Sequence, residues 1–268
     1  MTVPYHYIVA GLPDIVFDDN QVEIGLGPFI SELQDQIPQE DAWLLSYIGF
    51  QNDNKNLMTI LSQKNDSFQQ IGNFSEEELR DEIKNQDRVP EYMQEFISAY
   101  EANSPIIPNL SWENQLNWLF YEDATSIENR FLNEWFRFEL DLRNILAAIN
   151  CRNEKDSLEK HLICRNEVTD LLLKSSAPDF KLPTRVPWAD ELFSIEFDNI
   201  PMSEDRLTRL KLQLLEEMAE PELFNIETVM RVGISLSIAE RWSLLDDKAG
   251  TEMLKKIIQD LEQNYKAE

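Results

Sequence analysis

Glycine is scarce in this sequence, and the few glycines are unevenly placed. Only 7 of the 268 residues are glycine, and none lies between Gly72 and Gly233. At an average usage of about 7%, that interval would hold roughly eleven. Tight turns between strands depend on glycine, whereas helix interiors avoid it. The sequence therefore predicts an all-α protein with at most minor strand content.

Histidine and cysteine are also scarce, with two residues of each. His6 and His161 are isolated, and Cys151 and Cys164 are too far apart for the paired spacing of a zinc site. The GLG at residues 25–27 lacks the third glycine of a dinucleotide fingerprint, and no P-loop or Gly-x-Ser-x-Gly motif occurs. We therefore expect no catalytic residue, no metal and no cofactor.

Positive charge is the third shortage, with 24 Lys and Arg against 50 Asp and Glu and a net charge of −26. Nucleic acids and anionic lipids both select basic surfaces, so neither is an expected partner. An acidic surface either provides solubility or steers the protein towards a basic partner. No apolar run is long enough to span a bilayer, and the N-terminus lacks the basic region of a signal peptide. We expect a cytoplasmic protein without direct bilayer insertion.

Proline and capping residues divide the chain into helical segments. Ser75 followed by Glu78 has the spacing of a capping box. The segment 175–187 contains three prolines within ten residues and is the clearest linker. Residues 5–13 fit a short strand or a helix start. Helices are predicted at about 40–62, 75–85, from 91, 111–150 as one helix or two, 156–175, 203–219, 225–245 and 251–265. We predict three helical units, over residues 1–74, 75–177 and 178–268.

Two stretches of the chain share a pattern. YIGFQNDNKNLMTIL (47–61) and WFRFELDLRNILAAI (135–149) each carry an aromatic residue, then Phe, Asp and Asn at intervals of three. The matched polar residues are Asp53 and Asn56 in the first copy and Asp141 and Asn144 in the second. Asp and Asn three residues apart lie on one flank of a helix, where they can bond to a neighbouring helix end. Repeated helical units stack to bury a continuous face.

Basic residues cluster late in the chain. The densest cluster consists of Arg206, Arg209 and Lys211. It is either a solvated helix face or a contact with the acidic end of a neighbouring protein. Further on, Glu240 continues the helix face of Gly233 and Ser237, while Arg241 diverges from it by about 100°. We expect Glu240 to serve internal packing and Arg241 to contact a partner.

Several motifs are similar to those of a known family. FELDLRNILAAINCRNEKD (138–156) resembles the acidic-x-x-Asn motif and long helix of the C-type subunits of V/A-type ATPases, which correspond to the d-type subunits of the eukaryotic enzymes. FNIETVMRVGISLSIAERWSLLD (224–246) resembles the last helical motif of that family, although Gly233 and Leu236 stand near its expected Tyr and Lys. The opening YHYIVAGLPDI and the APDF at 177–180 resemble a bacterial branch that is associated with V-type ATPase operons.

The resemblance implies a non-catalytic central-stalk connector, with a funnel-like body of two or three similar helical units. Its partners would be the central-shaft subunits and the membrane rotor ring, which place it in the cytoplasm, peripheral to the inner membrane. Asp53, Asn56, Asp141 and Asn144 would then be framework residues. Two alternatives stay open, a helical scaffold or adaptor without a rotary role, and an enzyme.

Overall fold

The structure, a computed structural model, describes residues 5–13, 24–63, 68–197, 200–219 and 224–243. All regular secondary structure in these ranges is helical, which confirms the all-α prediction. The helices are α1 Tyr5–Ala10, α2 Leu26–Gln34, α3 Gln39–Ser62, α4 Glu76–Asn85, α5 Glu91–Glu101, α6 Trp112–Ala124, α7 Arg130–Glu154, α8 Glu167–Lys174, α9 Ala189–Phe193, α10 Ile200–Met218 and α11 over 226–243, with a 3-10 turn at Leu158–Lys160.

Helices α3 and α7, the longest among the described residues, take part in most of the contacts between helices. Helix α2 packs on α3, α6 packs on both α3 and α7, and α10 packs on α7. Aromatic rings fill the space between them: Phe120 meets Phe136 edge to face at 5.4 Å and Tyr92 at 5.7 Å. Burying a side chain of this size stabilises the fold by roughly 1.5–3 kcal/mol. The phenylalanine rings Phe50, Phe96, Phe120, Phe131 and Phe136 are thus among the largest fully buried side chains of the core.

Helix α11 approaches the core closely at Gly233. A Cβ atom on Gly233 would lie 3.0 Å from Cδ1 of Ile48 on α3 and 3.4 Å from the Phe29 ring on α2. Two turns further on, Glu240 lies against Gly25 at the start of α2. The face of Gly233 and Glu240 thus packs within the molecule. In the described ranges no helix combines the length and the apolar character needed to cross a membrane.

The structure divides one predicted helical segment into two helices and shortens another. The segment 111–150 forms two helices, because Asn129 caps the start of α7 by accepting from the Leu132 N–H at 3.0 Å. The prediction of a helix over 156–175 is wrong, since α8 begins only at Glu167. Lys155 ends α7 in the left-handed region with φ 56°. Side chains of α7 then bond to the irregular segment: Arg143 donates to the His161 carbonyl, and Asn144 bonds to the backbone of Ile163.

The Pro-rich segment 175–187 contains no helix, as predicted, yet it belongs to the core. Phe180 and Leu182 are buried, and the Arg152 guanidinium of α7 lies 3.7 Å from the centre of the Phe180 ring. The same guanidinium donates to the carbonyl of Ala177 at 2.7 Å. The division into three units stays a prediction, and the predicted helix at 251–265 lies outside the described residues.

Candidate functional site

The first Asp-x-x-Asn pair lies on α3 and binds the loop that leads to α4. Asn56 makes two hydrogen bonds to the backbone of Gln69: its Oδ1 accepts from the N–H at 2.9 Å, and its Nδ2 donates to the carbonyl at 2.7 Å. Nearby, Nδ2 of Asn52 donates to the Ile71 carbonyl at 3.4 Å. This face of α3 therefore supplies the polar partners that an otherwise irregular segment needs. We call Asp53, Asn56 and residues 69–74 the first clamp.

Asp53 is the buried centre of the first clamp. Its carboxylate accepts from the Asn73 N–H at 3.0 Å, the Asn73 Nδ2 at 2.7 Å and the Phe74 N–H at 3.2 Å. Burial raises the pKa of Asp53 to about 7, although the hydrogen bonds from Asn73 and Phe74 act in the opposite direction. The next residue, Ser75, caps α4 with the capping box that the sequence predicts.

Two glycines let the loop of the first clamp approach α3. A Cβ atom on Gly72 would overlap Oδ1 of Asp53. A Cβ atom on Gly49 would lie 2.5 Å from Nδ2 of Asn73, which donates to the Ser46 carbonyl of α3. Both positions thus need the smallest residue because of close approach, and neither has a positive φ. The sequence pattern did not reveal these glycines as part of the site.

The second pair lies on α7 and binds the loop that leads to α8. Asn144 again makes two hydrogen bonds to one residue: its Oδ1 accepts from the Ile163 N–H at 3.0 Å, and its Nδ2 donates to the Ile163 carbonyl at 2.9 Å. Asp141 accepts from Nδ2 of Asn166 at 2.7 Å, and Asn166 is the N-cap of α8. Burial raises the pKa of Asp141 to about 6, with the Asn166 bond acting against it. We call Asp141, Asn144 and residues 163–166 the second clamp.

The two clamps share one local geometry. In each, the Asn fixes the backbone of a loop residue through a pair of hydrogen bonds, while the Asp holds an Asn close to the start of the next helix. Each clamp ties a long helix to the short helix that follows, which can hold the two in a fixed relation. The framework role of these four residues stays a prediction.

The four basic residues predicted as partner contacts occupy two different settings. Arg206 and Arg209 are on α10, where Arg206 donates to the Ser194 carbonyl at 2.9 Å and Arg209 pairs with Asp205 at 2.9 Å. Lys211 pairs with Glu139 of α7, and Arg241 of α11 pairs with Glu204. These last two basic residues line a cavity. The structure therefore separates the set into a pair outside the cavity and a pair in its wall.

The described residues form neither a cluster of metal ligands nor a disulfide. Among them, no group of three or more His, Cys, Asp or Glu residues could hold a metal ion. Both cysteines are free, and Cys151 on α7 is buried. Burial raises the pKa of the Cys164 thiol to about 12, so it stays protonated at neutral pH.

These features define an all-helical protein whose two longest helices each clamp the loop that follows them. A family model described as "Protein of unknown function (DUF2764)" matches residues 1–265, and the chain belongs to this family. An "Uncharacterized protein" of Chlamydia muridarum (strain MoPn / Nigg) is 24% identical over 176 residues, which are 61% of this chain and 62% of the relative. The match thus spans less than two thirds of that relative's length. No solved structure matches the chain.

Proposed function

We propose that this protein is a non-catalytic connector in the central stalk of a V/A-type ATPase. It would join the rotating shaft to the membrane rotor ring and transmit torque between them. Such a part works mechanically, so it needs helices held in fixed relation and broad surfaces for two partners. The proposal concerns coupling only and assigns no bond-breaking step to the chain.

The observation that carries the proposal is the second clamp. The motif that resembles the ATPase family contains Asp141 and Asn144, and these side chains tie α7 to the loop before α8. A torque-transmitting part has to resist displacement of its helices, and buried hydrogen bonds across helix ends provide that resistance. The occurrence of the same bonding pattern on α3 supports the proposal further.

A second candidate is a helical scaffold or adaptor that retains this fold without a rotary role. It is favoured by the departure from the family motif at Gly233 and Leu236. Gly233 lies against Ile48 and Phe29, and Leu236 is buried, so neither position presents a large side chain to a partner. Purification of the tagged protein from native membranes separates the two candidates, since only a connector is expected to retain the shaft and ring proteins.

Deletion of the gene tests the connector directly. Membranes that lack the protein are expected to retain ATP hydrolysis in detached heads but to lose ATP-driven ion pumping, and a plasmid copy is expected to restore pumping. If the deletion membranes pump ions at the normal rate per ATP hydrolysed, the connector proposal is wrong.

A charge reversal on α10 tests the predicted partner surface. Arg209→Glu is expected to weaken association with the shaft proteins, whereas the isolated variant melts as the unmodified protein does. The matched control is Arg80→Glu on α4, because Arg80 pairs with Glu76 at 2.7 Å in the same i,i+4 arrangement as Arg209 with Asp205. Exposed pairs of this kind contribute roughly 0–1 kcal/mol to stability, so neither change unfolds the protein. Equal assembly of both variants would place the interface elsewhere.

A further inference from the structure

Five helices line an open cavity that neither clamp uses. It has a volume of about 420 Å³ and is lined by side chains of α3, α6, α7, α10 and α11. A smaller cavity of about 220 Å³ shares part of its wall, including Lys55, Lys211 and Arg241. The larger volume lies in the range of roughly 300–1,000 Å³ that holds small-molecule ligands. These three cations therefore lie where the two cavities meet.

The charge of the larger cavity is opposite to that of the protein. Its charged residues are Lys55, Arg143, Lys211, Arg241, Glu139 and Glu204. Four cations and two carboxylates give an excess of +2, whereas the whole chain carries −26. A sixth of all the Lys and Arg residues (4 of 24) thus line one cavity of an acidic protein. We name it the basic cavity.

The two carboxylates of the basic cavity are already engaged. Glu139 lies 2.7 Å from the Lys211 ammonium, and both side chains are largely buried. Glu204 lies 3.6 Å from the Arg241 guanidinium. The internal ion pairs therefore account for Lys211 and Arg241, and the excess charge comes from Lys55 and Arg143.

Neither of those two cations forms an ion pair within 4.0 Å among the residues that the structure describes, and the carboxylates whose charge acts on them, Glu113 on both and Glu139 on Lys55, lie beyond that distance. The Arg143 guanidinium donates to Oδ1 of Asn114 at 2.5 Å and to the carbonyl of His161 at 3.1 Å, which are neutral acceptors. Lys55 keeps access to solvent through the cavity, although the surrounding helices partly desolvate its ammonium. This desolvation, followed by the nearness of Arg241, lowers the pKa of Lys55, and burial lowers the pKa of Arg143. A bound anion would offset the repulsion between the Lys55 and Arg241 side chains.

The chemistry of the lining favours a phosphate over other anions. A phosphate monoester carries about −1.5 to −2 at neutral pH on three strong acceptor oxygens, which matches an excess of +2. Lys and Arg are the side chains that recognise phosphate in proteins. The rest of the wall offers the amides of Gln51, Asn117 and Asn150, which can bond to the polar atoms of an organic group.

We propose that the basic cavity binds a small molecule that carries a phosphate group. Lys55, which makes no ion pair among the described residues, would contact the phosphate beside the ion-paired Lys211 and Arg241, and Arg143 would supply the second excess positive charge of the wall. The sequence contains no P-loop, so the phosphate would be held by side chains from separate helices instead of a glycine-rich backbone. This inference does not rest on the connector proposal, since an adaptor of the same fold would present the same cavity.

The test is isothermal titration calorimetry, in which inorganic phosphate is added to the full chain at constant ionic strength. Succinate serves as a second probe. Titration is preferred to melting because phosphate stabilises many proteins by exclusion from their surface. We expect saturable binding of phosphate and binding of succinate that is at least about tenfold weaker, since its charges are split between two ends. Equal affinity for both probes would overturn the assignment to phosphate.

Two variants locate the binding. Lys55→Ala and Gln51→Glu are each expected to raise the phosphate dissociation constant by about tenfold or more, the first by removing a cation and the second by adding an anion one helical turn from Lys55, in the wall that both cavities share. The matched control Lys84→Ala removes an exposed ammonium on α4 that pairs with Asp81 at 3.8 Å, and is expected to leave binding unchanged. Gln51→Glu is nearly isosteric, so it tests the site even if Lys55→Ala alters the fold. No saturable binding to the unmodified protein, or unchanged binding in Gln51→Glu, would overturn the proposal.

Discussion

The two clamps perform the same local task with different degrees of burial. Asp53 is fully buried and accepts three hydrogen bonds, whereas Asp141 is only partly buried and accepts one, from Asn166. The glycines explain part of the difference. Gly49 and Gly72 let the first loop lie directly on α3, but Arg137 occupies the position on α7 that corresponds to Gly49. The same Asp-x-x-Asn motif can thus form either fully buried or partly solvated hydrogen bonds to the loop, depending on the residues around it.

The largest expected effect is the loss of the buried carboxylate. Asp53→Ala leaves three N–H groups of Asn73 and Phe74 without acceptors, at about 1–3 kcal/mol for an unsatisfied buried group. We expect the free energy of unfolding in urea to fall by about 3–4 kcal/mol. Asp53→Asn keeps the shape and one acceptor oxygen and should cost less. A loss below about 1 kcal/mol in Asp53→Ala would show that the first clamp does not hold the fold.

The first clamp is also expected to make the free energy of unfolding depend on pH. The pKa of Asp53 is about 7 in the folded state against 3.8 as its ordinary value. As the pH rises from about 4 to about 7, the unfolded chain releases this proton first, so folding loses stability, and the loss is complete above about pH 7. Compared with Asp53→Asn, the unmodified protein should lose on the order of 2–4 kcal/mol across this window.

The corresponding comparison for Asp141→Asn should show a smaller loss that ends near pH 6, since the folded pKa of Asp141 is about 6. Glu240, whose pKa burial raises to about 7, is present in every protein compared and cancels from these differences. Stability that instead rises with pH relative to Asp53→Asn would contradict the direction of the Asp53 shift.

A glycine substitution tests why the first loop lies so close to α3. Gly72→Ala places a Cβ atom on the Asp53 carboxylate and should lower stability by about 1–3 kcal/mol. Gly11→Ala is the control, because its Cβ would meet backbone oxygens of Ile8 and Tyr7 only at an ordinary 3.6 Å. In an Asp53→Ala background the cost of Gly72→Ala should largely disappear, and full additivity would exclude the clash as its cause.

The smallest effect is expected at the second clamp. Asp141→Ala removes one acceptor from a partly solvated site, and Asn166 can bond to water instead. We expect a loss of about 1 kcal/mol in urea unfolding, at the lower end of the range for such changes. A loss equal to that of Asp53→Ala would show that burial does not set the difference between the clamps.

The sequence predicts the helices better than the contacts between them. Helix α3 begins within one residue of its predicted start and ends at Ser62, since Pro38 precedes it and Gln63 ends it in a left-handed conformation. The spacing of Asp53 and Asn56 also predicts their shared flank. Their loop partners were not predictable, because Gln69 and Ile163 bind through backbone atoms that any residue carries.

The basic cavity is not predictable from the sequence for a related reason. Lys55, Arg143 and Arg241 are isolated in the sequence and come together only when α3, α7 and α11 pack. The cluster of Arg206, Arg209 and Lys211 is visible in the sequence because it is local, yet of these three residues only Lys211 lines the cavity. Charge patterns along a chain thus reveal local clusters, whereas sites built by tertiary packing need the fold.

The central claim is that each clamp contains a specific Asp–Asn hydrogen bond and that the bond of the first clamp is the stronger. Two double-mutant cycles test it most directly. The Asp53–Asn73 and Asp141–Asn166 pairs are each replaced singly and together by Ala, and the coupling free energy is measured by urea unfolding. The cycle cancels the other bonds of Asn73 and the capping role of Asn166. We expect favourable coupling of about 2 kcal/mol in the first clamp and about 0.5–1 kcal/mol in the second. Coupling near zero in both, or stronger coupling in the second clamp, would contradict the account.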